Sequence, residues 1–293
     1  MRDVPWGFVG GFAFIFLGYN TMNHFMQVAF YRRRGKDPVE WKSQPGSARG
    51  SGQEAEESWS PVLRLLSGAG DHGEDAHGEG TGDSWGVPHR RAPDHDLVSL
   101  TNLLVGSSMA GLCSELCRNG RSRMVFSAAA GGGGAKCVAV AVGAVVYQLL
   151  VEYYWHRAMH LPYFYKRFHK MHHHYKSPRP FDDLYIHPLE SFGYYCILYA
   201  PPFLFPIHVL GFAAYMGIMG VAGVLDHSGV RLTIPGVYTT KDHDVHHQQF
   251  DCNYAFPFVW MDLLHGTFAG EYAGRTFPLG AARAHARRGK ALE

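Results

Sequence analysis

Apolar stretches with the length of membrane helices recur along the chain, and polar stretches separate them. Residues 6–31, 98–117 and 137–155 each form a largely apolar run. An α-helix needs about 20 such residues to cross a bilayer. The pattern therefore predicts three membrane helices in the first half of the chain.

The first apolar run has its positive charge on its carboxyl-terminal side. Residues 32–34 are arginine and residue 36 is lysine, whereas a cleavable signal peptide carries its basic residues before the apolar core. This order predicts a signal anchor whose basic end faces the cytosol. The polar residues Asn20, Asn23 and His24 leave a second interpretation open, in which the helix is amphipathic and lies along the membrane.

A longer apolar run covers residues 192–224, which exceeds one membrane span and falls short of two. Prolines between positions 201 and 206 interrupt it near its first third, where a helix is expected to break. His187 precedes the run and His227 follows it. If both histidines serve one site, the chain must enter the bilayer and return, so we predict a short helical hairpin that need not cross fully.

The polar parts of the chain set the predicted domain boundaries. Residues 43–97 are rich in Gly, Ser, Glu, Asp and His, and contain too few apolar residues to fold alone. We predict a membrane anchor over 1–42, a disordered cytosolic insert over 43–97 and a membrane domain over 98–293. The last part of that domain, 273–293, is a basic tail.

The loop between the second and third apolar runs is basic, with Arg118, Arg121 and Arg123. If both runs span the membrane, this loop is lumenal, contrary to the tendency of basic residues to remain in the cytosol. The lengths of the runs still favour two spans, which places the end of 137–155 in the cytosol at His156.

Charge and cysteine content exclude several classes of protein. The net charge is +2, and the basic residues do not form the interleaved basic and aromatic pattern of nucleic-acid-binding modules. The five cysteines are odd in number and lie mostly in apolar surroundings, which argues against a disulfide framework and a zinc ribbon. We expect no nucleic-acid partner.

Histidines are concentrated in three short boxes, within the segments HRAMH, HKMHHH and HDVHH. The spacing of four in the first box puts both of its rings on one face of a helix. On helices, the second and third boxes each offer one histidine a turn away from an adjacent pair, so each box can reach two metals. The boxes comprise His156 and His160, then His169, His172 and His173, then His243, His246 and His247.

Eight imidazoles, with His227 and His187 as further candidates, suit two metal ions better than one. Imidazole ligands fit Zn, Cu, Fe or Ni, whereas Mg and Ca prefer oxygen. Structural zinc sites commonly include cysteine, and hydrolytic zinc on a helix is expected as His-Glu-x-x-His, which this chain lacks. The pattern favours iron that activates dioxygen, with zinc as the alternative metal in the isolated protein.

The three boxes resemble those of the fatty acid hydroxylase superfamily, the membrane di-iron proteins with H-x3-H, H-x2-H-H and H-x2-H-H boxes. DLYIHPLES around His187, LDHSG around His227 and NYAFPFVWMDLLHGT after the third box look like the branch of C4-methylsterol oxidases and sterol desaturases. The resemblance covers about residues 140–272, and WKSQP at 41–45 resembles a segment upstream of the boxes. Ala255 departs from the family, which often has Gly there.

This resemblance implies an all-α fold, an integral membrane helical bundle with a cytosolic helical cap that carries a histidine-rich two-metal site. It implies an oxidoreductase of the endoplasmic reticulum membrane that uses two Fe ions, O2, and electrons from NAD(P)H through cytochrome b5 and its reductase. The substrate would be a membrane lipid or sterol, most closely a sterol C4-methyl group. The implied metal ligands are His156, His160, His169, His172, His173, His187, His227, His243, His246 and His247.

Several alternatives and further expectations accompany this interpretation. The same boxes occur in fatty acid or sphingolipid hydroxylases and in sterol desaturases; a metal transporter, with ligands in mid-membrane, and an inactive scaffold are remoter. The apolar hairpin and the 137–155 helix would form a lipid channel. Carboxylates that could hold ring N–H groups are Asp183, Glu190, Asp226, Asp242 and Asp262. Histidines expected to serve packing alone are His24, His174, His208, His265 and His285.

Overall fold

The computed structural model describes residues 5–32, 61–62, 92 and 94–280. Most of the predicted insert and of the basic tail, including His285, lies outside the described residues. The α-helices of the described part are α1 (Trp6–Met26), α2 (His95–Arg118), α3 (Gly134–Met159), α4 (Pro162–Phe164), α5 (Pro188–Leu198), α6 (Pro201–Leu204), α7 (Val209–Asp226), α8 (Thr240–Gln249) and α9 (Trp260–His265).

Short turns and two small hairpins complete the fold. Antiparallel strands pair as β1 (Thr233–Ile234) with β2 (Tyr238–Thr239), and as β3 (Gly270–Tyr272) with β4 (Arg275–Phe277). π-Helical turns cover Gln27–Arg32 and Tyr165–His169, and 3₁₀ turns cover His172–His174 and Asp182–Leu184. The strands are a minor addition, so the predicted all-α class is confirmed.

Three helices are long and apolar enough to cross a membrane: α2, α3 and α7. The first two confirm the runs predicted at 98–117 and 137–155. α1 is not among the three, and its second half carries Asn20 and Asn23. Phe14 of α1 faces outward and is 73% exposed. The role of α1 as a membrane anchor stays a prediction.

The proline-interrupted run breaks where expected. α5 ends at Leu198, α6 begins at Pro201, and α7 begins at Val209. α5 has 11 residues and is therefore roughly 16 Å long, about half of a bilayer's apolar core. The chain thus leaves the histidine end of the bundle on a short helix and returns to it on a long one, as a hairpin requires, and how far this hairpin enters a bilayer stays a prediction.

α1 packs antiparallel to α2 through small residues. A Cβ atom at Gly11 would lie 2.4 Å from Oγ of Ser114, and one at Gly111 would lie 2.8 Å from the ring of Phe8. The backbone N–H of Phe8 donates to the Glu115 carboxylate at 3.1 Å. Small residues of this kind let membrane helices approach closely, so α1 is an integral part of the bundle.

The long helices share one end, where the histidine boxes lie. α3 and α7 end there at Met159 and Asp226, and α2 begins there at His95. The opposite end is closed by the loop after α2, whose Val125 donates its N–H to the Ile207 carbonyl at 2.9 Å. The basic loop with Arg118 therefore lies at the end of the bundle away from the histidines.

Candidate metal centre

The first box lies at the end of α3. His156 occupies the last turn, and His160 caps the helix. The helix stops there because Pro162, which begins α4, cannot continue it. Both rings project from one face, as the spacing of four predicts.

The second box is not on a regular α-helix, which corrects one expectation. His169 ends a π-helical turn, and His172 and His173 lie in a 3₁₀ turn. Single π-turns of this kind are frequent at functional sites. The change in backbone pitch aims the neighbours His172 and His173 at different groups of rings.

The third box lies on α8, as predicted. The Thr239 hydroxyl caps this helix by accepting from the N–H of Lys241, and Phe250 ends it in a left-handed conformation with φ of 65°. His243 and His247 share a face, and His246 lies beside them. α8 can therefore present rings in two directions.

The boxes and His227 converge in two groups of rings. Within each group the candidate ligand nitrogens all lie within 4.8 Å of one another. As predicted, the second and third boxes each contribute to both groups. The first group is His156, His160, His169, His173 and His246, and the second group is His172, His227, His243 and His247.

Hydrogen bonds on the far side of the rings fix their tautomers. Backbone carbonyls accept from Nδ1 of His156, His227, His246 and His247 at 2.7–3.1 Å. The Glu190 carboxylate accepts from Nδ1 of His169 at 2.5 Å. A neutral ring with its proton on Nδ1 has a lone pair on Nε2, and outer partners of this kind usually orient metal-binding histidines.

The Nε2 atoms lie within hydrogen-bond distance of one another, but too few of them carry a proton for hydrogen bonds among the rings to satisfy them all. In the first group His160, His169 and His173 have Nε2 atoms 3.0–3.2 Å apart in all three pairs. His169 already has its proton on Nδ1, and a neutral ring has only one. Nε2 of His247 is buried without a hydrogen-bond partner in the described part of the chain. Lone pairs directed at a common point suit a metal ion.

Burial favours the neutral form of six of these rings by lowering their pKa. It lowers the pKa of His227 to about 4, and it holds the pKa of His243 and His247 well below the usual range, with neighbouring imidazoles adding to the effect. The same causes depress the pKa of His172, His173 and His246. Neutral imidazole is the form that binds metal. Each group could hold one ion of the Fe, Zn, Cu or Ni class, because all donors are imidazoles.

His187 lies in neither group. Its Nδ1 accepts from the N–H of Leu189 at 3.2 Å, which caps α5, and its ring packs edge-on against Phe168. The geometry gives it the role of a helix cap. Among the histidines expected to serve packing alone, His208 likewise caps α7, and His265 bonds to Tyr154.

Of the five carboxylates expected behind the rings, Glu190 binds one directly. Asp262 acts at one remove: it accepts from the N–H groups of Tyr254 and Ala255, and the Tyr254 carbonyl holds His156. The other three have no hydrogen bond to an imidazole of the described residues. Asp183 accepts from Tyr19 and Asp226 accepts from Tyr238.

A cavity of about 380 Å³ leads from between the helices to both groups of rings. Its walls come mainly from α1, α5 and α7, and α3 adds Glu152 and Trp155. The part of α1 from Phe14 to Met22 was not expected there. The histidines that line the cavity are His156, His169, His172, His227 and His243.

Sequence reasoning also missed Glu152. It lines the cavity and is 8% exposed. The signal was present in the sequence, because Glu152 lies four residues before His156 in an otherwise apolar run. Ionisable residues at membrane depth are functional candidates by default.

Comparison with known proteins relates the histidine region to one family. Residues 140–267 match the fatty acid hydroxylase family model. A Delta(7)-sterol 5(6)-desaturase of Gibberella zeae is 34% identical over 117 residues, which are 39% of this chain and 34% of the relative. Human lathosterol oxidase is 32% identical over 120 residues, which are 39% of this chain and 40% of the relative.

A third relative is a putative methylsterol monooxygenase of Dictyostelium discoideum. It is 35% identical over 130 residues, which are 42% of this chain and 49% of the relative. The chain thus spans less than half of the length of these three relatives. No solved structure matches.

All nine converging histidines lie within the matched segment, and the three relatives are named for sterol chemistry. Residues 140–267 therefore match the fatty acid hydroxylase family, and the chain is similar to proteins that are named for sterol modification.

Proposed function

We propose that this protein is a membrane oxidoreductase that holds two iron ions in its two histidine groups and uses O2 to oxidise a C–H bond of a sterol. The observation that carries this proposal is the convergence of nine imidazoles on two points at the base of an apolar cavity. The carbon we propose is a C4-methyl group. Of the three relatives above, the putative methylsterol monooxygenase matches over the longest stretch.

The residues of the chain have distinct tasks in this reaction. The first group would hold one iron through five imidazoles, and the second would hold the other through four. The iron ions, when bound, supply the activation of O2 needed to attack an unactivated C–H bond. Glu190 and the carbonyls of Tyr254 and Cys252 keep the rings aimed inward. The cavity walls orient the lipid and exclude water, the protein's usual contribution to redox chemistry.

Desaturation is the second candidate function. Two of the relatives are named a Delta(7)-sterol 5(6)-desaturase and a lathosterol oxidase. Removal of hydrogen from a ring carbon and oxidation of a methyl group both begin at an unactivated C–H bond. The same metal groups and cavity would serve either reaction, and the seating of the sterol would decide between them.

We further propose that the histidine end of the bundle faces the cytosol in the endoplasmic reticulum membrane, where cytochrome b5 and its NAD(P)H reductase can deliver electrons. The arrangement supports this, because lipid would reach the metals from between the helices and an electron donor from the polar end. A transporter is disfavoured, since both groups lie at one end of the helices.

Sterol analysis in yeast tests the proposed function. The full chain is expressed in a strain that lacks its own C4-methyl oxidase, beside the variant His247→Ala as an inactive control. We expect the wild-type chain to restore 4-desmethyl sterols and the variant to leave 4-methyl sterols unchanged. No rescue by an expressed, iron-loaded wild-type chain would exclude C4-methyl oxidation. Conversion of lathosterol in a desaturase-deficient strain would then support the second candidate.

A further inference from the structure

A row of polar side chains runs along one face of α3 towards the two histidine groups. Gln148, Glu152, His156 and His160 follow one another at intervals of four, so they lie on the same side of the helix. Glu152 is one turn, about 6 Å, deeper in the bundle than His156. The row therefore extends the metal centre into the cavity.

Hydrogen bonds from Gln148 and Tyr215 fix the position of the Glu152 side chain. The side-chain N–H of Gln148 donates to Oε2 of Glu152 at 2.6 Å, and the Tyr215 hydroxyl donates to Oε1 of Gln148 at 2.6 Å. Gln148 is fully buried and does not line the cavity, whereas Glu152 does. The pair thus presents one carboxyl group to the cavity from a fixed position.

The second oxygen of Glu152 has no hydrogen-bond partner among the described residues. A carboxyl group more than nine-tenths buried and only half satisfied is costly, and such a group is retained where it meets a ligand. Asp183, which also lines the cavity, differs from Glu152 because it accepts a hydrogen bond from the Tyr19 hydroxyl.

We propose that Glu152, positioned by Gln148, binds the hydroxyl group of the lipid substrate, and that the carbon to be oxidised lies within a few bonds of that hydroxyl. This assignment rests on the proposed function. The closeness of Glu152 to His156 sets the distance: a lipid anchored one helical turn from the metals presents its nearby carbons to them, and its distant carbons lie among the apolar side chains of α1 and α7.

The anchor also selects a class of substrate. A carboxyl group can bond to a neutral alcohol as acceptor or donor. An alcohol can therefore bond to Glu152 in either protonation state, whereas ionised Glu152 repels an ionised fatty acid because like charges placed together in a water-poor cavity repel. The expected substrate is therefore a lipid alcohol such as a ring hydroxysterol.

Binding measurements with matched sterols test the anchor. The purified full chain, loaded with iron in lipid nanodiscs, is titrated with lathosterol and with its 3-deoxy analogue. Glu152→Leu removes the anchor, Glu152→Gln keeps a hydrogen-bonding group, and Tyr147→Phe serves as the control for loss of a polar group on α3 outside the cavity. Iron content is measured on each variant.

We expect Glu152→Leu to weaken lathosterol binding by roughly 10- to 100-fold, the usual effect of leaving a buried polar group of the ligand unpaired. Binding of the 3-deoxy analogue should change by less than about threefold, and Glu152→Gln and Tyr147→Phe should stay near wild type for both sterols.

Equal weakening of both sterols by Glu152→Leu would assign Glu152 a structural role and overturn the anchor. So would wild-type binding that does not distinguish the two sterols, although a sterol-oxidising function would then still stand. If the iron-loaded wild type binds neither sterol, the proposed function and the anchor fall together. Oxidation of lathosterol at a carbon remote from its hydroxyl would also contradict the proposal.

Discussion

The two histidine groups have the same task in the proposed function, but they are built differently. The first has five rings, and it alone draws on the box at the end of α3 and on a carboxylate, Glu190. The second has four rings and depends on His227, at the end of α7, whose Nδ1 bonds to a carbonyl of its own helix. The first group is thus tied to the helix that bears Glu152, and the second to the hairpin arm that walls the cavity.

This difference predicts which substitutions should disturb each group. Changes near α5 should reach the first group through Glu190, and changes in α7 should reach the second through His227. His172 and His173, adjacent in sequence, belong to different groups. Neighbouring substitutions should therefore have separable effects on the two metals.

Substitution of one ligand in each group should give the largest effect. We expect His173→Ala and His243→Ala each to lower the iron content towards one ion per chain and to reduce sterol oxidation by more than about a thousandfold, because both ions are needed. Loss of both ions in either variant would mean that the groups are not independent. The measurement is metal analysis with product quantification, and His174→Ala serves as the matched control within the same segment.

Acidification should destabilise the metal-free protein by several kcal/mol, at about 1.4 kcal/mol for each unit of pKa shift. Burial depresses the pKa of His227 to about 4 in the folded chain, whereas an unfolded histidine titrates near 6.5. The unfolded chain therefore takes up protons first, and stability is highest above about pH 6.5 and falls as the pH drops towards 4. The melting temperature of the apoprotein at pH 7.5, 6 and 5 checks this. A flat profile would show that the rings have the same pKa in the folded and the unfolded chain.

Loss of the carboxylate behind His169 should act on one group only. We expect Glu190→Gln to weaken iron binding in the first group about 10- to 100-fold and to leave the second nearly unchanged. Stepwise titration of the apoprotein with Fe(II) separates the two sites. Asp183→Asn is the matched control, because Asp183 also lines the cavity but bonds to Tyr19. Equal weakening of both sites by Glu190→Gln would refute the asymmetry.

His187→Ala should have the smallest effect. Its ring caps α5 and lies outside both groups, so iron content should stay at two ions and activity within about threefold of wild type. The cost is that of a lost N-cap, about 1 kcal/mol of stability. Loss of one iron ion in this variant would restore His187 to the ligand set that its sequence context implied.

Much of the metal centre followed from the sequence because histidine spacing on a helix determines which rings share a face. The boxes and the division of the second and third boxes between two groups of rings were predictable in this way, whereas His227 was predicted from its place after the apolar run and from the resemblance. His187 was included for the resemblance of its flanking sequence, and its ring lies outside both groups, where it caps α5.

The remaining features depend on tertiary contacts that local patterns do not encode. The π and 3₁₀ turns of the second box replace the expected helix where ring packing outweighs helix propensity. Backbone carbonyls such as that of Tyr254 leave no signature in the sequence. α1 looked like an isolated anchor, yet its small residues bring it against α2 and make it a wall of the cavity.

Iron stoichiometry tests the central claim most directly. The full chain is purified anaerobically after growth with iron, and the metal content of wild type, His173→Ala and His243→Ala is measured beside protein concentration. Two histidine groups predict about two iron ions per wild-type chain and about one in each variant. A wild-type chain that binds a single metal ion, or a variant that still binds two, would contradict two separate metal sites.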